Sequence, residues 1–301
     1  MSKRKKMRDG EVGVRGNWIV HIVLVLGCVL MILPFLWMVL TAFKTTPETL
    51  KFPPILVPKA LFGEAFGEGG AGFWHIFSNF QRVFKEMPKM GWAYYNTFMM
   101  MFLRIACAAV FSSTAAYAFA KMHFPLKNAL FSIVVIQLML PSQIFLTYQY
   151  KMVLNLKWQD TLMGLLFPGL VSAFGVFFMR QFYMSLPNDL SEAARLDGCN
   201  HWQIFTRIMV PLTKTALMAL SIFTAVFAWS DLLWPLVVNS SRESAYTLST
   251  LLVFLRAREP RGVTTQHFMA ASLMAMLPMV ALYTAFQKQF IEGIALTGTK
   301  A

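Results

Sequence analysis

Residues 185–212 read SLPNDLSEAARLDGCNHWQIFTRIMVPL, a polar and charged stretch with long apolar runs on either side, at 161–183 and 212–238. It is too long for a bare connector and is patterned as two short helices. Asp189 or Ser191 can cap the first, and Gly198 can end it, because glycine tolerates left-handed backbone. Residues 201–207 suit the second, and Pro211 is expected to open the apolar run that follows. A helix–glycine–helix unit tied at both ends to apolar runs makes a rigid knob on one face of a bundle. The architecture to expect is therefore a set of membrane-crossing helices with a structured loop between two of them.

Outward from this loop the rest of the chain agrees. Of 301 residues, 57% are hydrophobic and only 14% are charged, whereas a soluble domain carries about a quarter charged residues. The apolar residues fall in blocks at 18–43, 93–120, 126–150, 161–183, 212–238 and 268–291, each apolar all round. About 20 such residues cross a hydrocarbon core of roughly 30 Å. The expectation is an all-α polytopic membrane protein with six transmembrane helices and a cytoplasmic two-helix loop between helices four and five. Its parts are a basic cytoplasmic tail (1–16), a first transmembrane helix (17–44), an external loop with an amphipathic helix (45–92), a five-helix core (93–293) that contains the loop 185–212, and a cytoplasmic tail (294–301).

The net charge of +13 does not indicate a nucleic-acid partner, because the basic residues lie mainly beside and between apolar runs, where they fix topology. Lys3, Arg4, Lys5, Lys6, Arg8 and Arg15 keep the first tail in the cytoplasm. An even number of crossings returns the C-terminus to the same side. Loops expected outside also carry Lys85, Lys89 and Arg242, so the orientation rests on the first tail. The first apolar run is too long and ends in residues too bulky for a cleaved signal peptide. Cys28, Cys107 and Cys199 are far apart and suit packing rather than a disulfide framework. Cys199 and His201 lack a third or fourth ligand nearby, so no metal site is expected.

Within 45–92 follow Pro53, Pro54, a glycine-rich stretch (63–72) and an amphipathic patch of Trp74, Phe77, Phe80 and Phe84. That spacing suits a short helix lying on the membrane surface or a partner, or equally one packed on its own bundle.

The loop carries a family mark. Glu192-Ala193-Ala194, three residues, Gly198, nine residues, Ile208, one residue, Val210 and Pro211 resembles the EAA loop of binding-protein-dependent importer permeases, with Val210 where the family pattern has leucine. The resemblance covers most of the chain and narrows to carbohydrate-uptake permeases. Its carriers are Asn96-Thr97, the run 115–120 (AAYAFA), His123-Phe124-Pro125, the run 178–182 (FMRQF), the run 229–235 (WSDLLWP), Tyr246-Thr247-Leu248 and the C-terminal stretch from Gln287 to Lys300. The chain is similar to the second permease subunit of the maltose importer more than to the first.

This resemblance implies a multi-pass subunit of the bacterial inner membrane that works with a second homologous permease, two cytoplasmic ATPase subunits and an extracytoplasmic solute-binding protein. It implies that Glu192, Ala193, Ala194, Asp197, Gly198, Ile208 and Pro211 couple to the ATPase. The chain itself then needs no cofactor and is not an enzyme; ATP and Mg would be bound by the partners. The run 293–300 superficially resembles a phosphate loop, but Thr299 stands where a lysine is required.

Two ionisable residues lie within apolar runs, Arg104 and Asp231. A charge at mid-membrane costs roughly 2.5–3.5 kcal/mol on insertion scales, so both should face protein or water. Asp231 with Trp229 and Trp234 suits a sugar path, since aromatic faces stack on pyranose rings and a carboxylate accepts from hydroxyls. Equally it suits a packing charge near the interface with belt tryptophans. Tyr148, Gln143 and Gln137, beside a kink at Pro141, are weaker candidates for the same cavity. Arg256, Arg258 and Arg261, expected outside, suit contact with the binding protein or with an acidic, uronate-type oligosaccharide, or else a solvated charge run. Two other functions stay open: import of a non-sugar solute, and a membrane enzyme on lipid-linked sugar. The five histidines fall in separate segments, which disfavours the enzyme.

Overall fold

The computed structural model describes residues 18–58, 77–257 and 264–298, with side chains for all of these except 19 and 289–298. Expectations for the tails, for Trp74 and for Arg258 and Arg261 fall outside the described residues or side chains. The chain forms two units, residues 1–80 with 264–273, and residues 81–263 with 274–301.

In the first unit, α1 (Trp18–Ala42) is a helix of 25 residues, about 37 Å long at 1.5 Å per residue. Its apolar side chains from Val20 to Leu36 are exposed all round. Water would not tolerate such a surface, whereas lipid matches it. α2 (Thr46–Leu50) follows, capped where the Thr45 N–H donates to the Glu48 carboxylate at 2.7 Å. The Lys44 ammonium is buried over the Trp37 ring, 4.0 Å from its centroid. Burial pushes its pKa down, and nearby Glu48 opposes that shift. Phe77 and Phe80 of the expected amphipathic patch pack on Phe43, with ring centroids 6.3 and 5.4 Å away. Phe84, which falls in the second unit, stays exposed. These three residues flank or belong to α3 (Ser78–Glu86).

The second unit holds the bundle. α4 (Met90–Cys107), a π-helical turn (Ala108–Ser112) and α5 (Ser113–Lys121) run as one helix of 32 residues. Small residues let this rod approach α9 (Ala173–Ser185) closely: a Cβ built on Gly175 would stand 2.9 Å from the Ser112 Cβ. Such small-residue seams replace the missing hydrophobic drive between helices in lipid.

The expected single helix over 126–150 is two helices. α6 (Lys127–Met139) is followed by a 3₁₀ turn (Ser142–Phe145) and α7 (Leu146–Asn155), with a bend of 102°. Pro141 lacks an N–H and pushes Leu140 to extended backbone (φ −88°, ψ 133°), so the break is sharper than a kink. Next come α8 (Leu162–Leu166), a 3₁₀ turn (Phe167–Gly169) and α9, bent by 46°. Thr161 and Ser172 cap α8 and α9, accepting from the N–H groups of Gly164 and Gly175.

After the loop helices α10 (Asp189–Leu196), α11 (His201–Ile204) and α12 (Val210–Leu212) comes α13 (Lys214–Ser230). Pro211 therefore lies in the last turn of the loop and does not open the apolar helix. The chain turns by 79° at Thr213 and the long helix starts at Lys214. Nor does that helix reach residue 238: it stops at Ser230, and α14 (Leu233–Val238) resumes after Asp231 and Leu232. A 3₁₀ turn (Glu243–Ala245), α15 (Leu248–Ala257) and α16 (Thr265–Gly298) complete the chain. Among the described residues, three helices are long and apolar enough to cross a membrane, and up to six segments are if each bent pair is one span.

Candidate functional site

Two places in the second unit gather the residues expected to matter. The first is the loop. α10 begins after Asn188 rather than on a cap from Asp189 or Ser191, and the Asn188 side chain is engaged elsewhere. The Lys121 ammonium donates to the Asn188 Oδ1 and to the Leu186 carbonyl, both at 2.7 Å. Gly198 has φ +83°, the left-handed region that closes a helix. Its N–H donates to the Arg195 carbonyl at 3.0 Å. Asn200 and Gln203 then form a reciprocal capping box that starts α11. A π-helical turn (Phe205–Met209) carries the chain on to α12.

The loop's inner side is a continuation of the core. Ala194, Ile204, Phe205 and Met209 are buried in one cluster with Tyr117, Phe178, Met179 and Tyr183. The Ser113 and Tyr183 hydroxyls lie 2.6 Å apart beneath it. Glu192, Ala193, Asp197, Gly198 and Pro211 are exposed, and Ile208 is half-buried. Of the residues in the family pattern, Ala194 therefore faces the bundle while its neighbours face outward. Leu196, 90% exposed, and Trp202 share the outward side; neither was singled out from sequence. Their sign there is an apolar residue on the face opposite Ala194.

The second place is a cavity of about 540 Å³ lined by residues from six segments. Gln137 comes from α6, Ser142 and Gln143 from the turn after Pro141, Gln149 from α7, Gly169 from the turn after α8, and Ser230, Asp231 and Trp234 from the α13–α14 break. Arg104 of α4 completes the wall. Its Nη1 donates to the Asp231 Oδ2 at 2.8 Å and its Nη2 to the Leu165 carbonyl at 2.8 Å. The Arg104 Nε is buried with no hydrogen-bond partner. Asp231 has extended backbone (φ −63°, ψ 118°) because the helix is broken there, and an interrupted helix is tolerated at membrane depth where it lines a cavity. The two charges that lie within apolar runs, read separately from sequence, thus form one ion pair across 127 residues.

The other expected cavity residues divide. Trp234 is buried, lines the cavity and donates its indole N–H to the Gly164 carbonyl at 2.9 Å. Gln137 and Gln143 line it too. Trp229 does not: it packs edge-on against Phe98 at 5.1 Å and donates to the Ala275 carbonyl at 3.3 Å. Tyr148 is 77% exposed and lies away from the wall, while its neighbour Gln149 is on it. Arg256 is exposed at the end of α15.

Two sequence marks of the resemblance meet in space. The Asn96 side-chain amide donates to the carbonyls of Ser244 and Tyr246 at 2.8 and 3.0 Å, and the Thr97 hydroxyl accepts from the Leu248 N–H at 2.9 Å. Among the described residues no group of three or more His, Cys, Asp or Glu is placed to hold a metal.

Residues 108–295 match the family described as binding-protein-dependent transport system inner membrane component. The chain belongs to that family. The match covers the loop and the cavity wall apart from Arg104, so both places belong to a permease subunit. The permease is 30% identical to the sn-glycerol-3-phosphate transport system permease protein of Yersinia enterocolitica, over 91% of this chain and 94% of that one. It is also 30% identical to the arabinooligosaccharides transport system permease protein of Halalkalibacterium halodurans, over 94% and 96%. Its fold is similar to that of a chain in the crystal structure of a bacterial ABC transporter involved in the import of the acidic polysaccharide alginate. That likeness has a TM-score of 0.73 at 20% identity and covers 90% of this chain and 95% of the other.

Proposed function

We propose that this permease is one half of the translocation path of an ATP-driven, binding-protein-dependent importer that carries an oligosaccharide into the bacterial cytoplasm by alternating access. The cavity beside Asp231 carries the reading. Three amides, two hydroxyls and an ion pair converge there on a space of about 540 Å³. That volume falls in the usual range for small-ligand sites, and the donor–acceptor mixture matches a polyhydroxylated solute. In this reading the six spans are the three long helices, the bent pairs over 127–155 and 162–185, and α13, with both termini in the cytoplasm. The loop 185–212 then faces the cytoplasm, and Glu192, Ala193, Asp197 and Gly198 meet one of two partner ATPase subunits, which bind ATP and Mg. ATP-driven closure of that pair moves the loop as a rigid piece and biases the bundle between two states.

The arabinooligosaccharide relative supports a saccharide. An acidic, uronate-type saccharide draws support from the exposed Arg256 and from the likeness to the alginate importer. The sn-glycerol-3-phosphate relative supports a second reading, a phosphorylated polyol. Uptake by the complete importer, reconstituted with its partner permease, ATPases and binding protein, separates the two. ATP-dependent accumulation of labelled oligosaccharide is expected; accumulation of sn-glycerol 3-phosphate alone would end the saccharide reading.

A further inference from the structure

We infer that the Arg104–Asp231 pair sets the charge this cavity accepts, with Asp231 reading solute hydroxyls and Arg104 compensating that carboxylate from behind, so that the wall selects an uncharged, hydroxyl-rich segment over an anionic one. The inference rests on the cavity being part of the solute path.

The two partners are not equally presented. The Asp231 side chain is 22% exposed and the Arg104 side chain 10%. The guanidinium is recessed, held on one side by the Leu165 carbonyl and on another by the close approach of Gly169. Its unpartnered Nε is buried and so does not meet the cavity. The carboxylate is the more available member, and its bond to Arg104 uses Oδ2, leaving Oδ1 to accept from a hydroxyl. The remaining polar wall, Gln137, Ser142, Gln143, Gln149 and Ser230, is neutral.

One cation and one anion therefore cancel. A solute hydroxyl meets a charged acceptor and neutral amides. A solute carboxylate meets Asp231 before it can reach Arg104, and like charges in a partly dehydrated wall repel strongly. Acid groups on a uronate solute must then be matched elsewhere than at this wall.

The test uses the complete importer with its partner subunits in lipid nanodiscs, without the binding protein, so that the binding protein does not choose the solute. Binding of two labelled probes of equal length is measured, a neutral trigalactoside and trigalacturonate. Wild type is expected to prefer the neutral probe. Asp231→Asn leaves the arginine uncompensated and shifts the ratio about tenfold or more toward the uronate; Arg104→Gln shifts it in the opposite direction. The combined Asp231→Asn/Arg104→Gln variant, again neutral, returns the ratio close to wild type, and either single variant that assembles decides the matter, because each shifts the ratio in its own direction. Two probes that bind with a ratio blind to these substitutions would overturn the inference alone. A wild-type importer that binds neither probe would overturn the cavity reading with it.

Discussion

Gly169 and Arg104 are packed so closely that a Cβ at residue 169 would stand 2.5 Å from the arginine Nε and 2.8 Å from its Cδ. The side chain has no easy retreat, because its two terminal nitrogens are held by Asp231 and by the Leu165 carbonyl. Glycine here is a space requirement, not a backbone one. Gly169→Ala is expected to destabilise the permease by about 1–3 kcal/mol through overpacking and to impair uptake as the ion pair is pushed apart. Thermal unfolding in detergent, alongside an uptake assay, checks this. Unchanged stability and uptake would mean that Arg104 has a second seat.

The ion pair itself invites a cycle of substitutions scored by stability. Arg104→Met or Asp231→Leu alone leaves one charge without its partner in the bundle, which costs about 3–5 kcal/mol. The double variant removes both charges and is expected to cost less than either single change. Additive losses in thermal unfolding would show that the two residues act independently.

Lys121 ties the start of the loop to the end of α5 through two bonds of 2.7 Å. Lys121→Met keeps the apolar stem and deletes the ammonium. Amide hydrogen exchange over residues 186–198 should rise by about ten- to a hundredfold, as expected for losing hydrogen bonds of a charged group worth roughly 1.5–3 kcal/mol. Exchange confined to wild-type rates would place the loop's rigidity in the buried cluster around Ala194 alone.

Gly198 occupies the left-handed region with its N–H engaged, and proline can satisfy neither condition. Gly198→Pro is expected to abolish transport-linked ATP hydrolysis while membrane insertion persists, since nothing in the bundle lies within 4 Å of a Cβ there. Glu192→Lys, a charge reversal on the exposed side, is expected to do the same. Normal stimulation of hydrolysis in both variants would remove the loop from the coupling role.

Much of this protein could be read before any coordinates. Composition and block length specify a helical membrane protein, because apolar surface all round a helix has no stable home in water. The left-handed position of Gly198 is local, set by a steric rule that acts within one residue. The membership shared with other permeases is likewise carried by short patterns, such as residues 192–198, whose spacing is a property of the chain.

What could not be read is non-local. Sequence indicated that Arg104 and Asp231 each need shelter, but their union depends on α4, α8 and the α13–α14 break meeting in three dimensions. Nearness to Asp231 and to Pro141 made Trp229 and Tyr148 candidates for the cavity; the 102° turn at Pro141 puts Gln149 there instead of Tyr148, and Phe98 holds Trp229 away. Pro141 announces a break without stating its angle, since proline removes a hydrogen bond and leaves the new direction to packing. The sequence by itself determined that this is a helical membrane protein, because the preference of an apolar segment for lipid is a property of that segment alone. Only the tertiary structure decided which polar groups share a cavity, because that depends on distances between segments that no local rule controls.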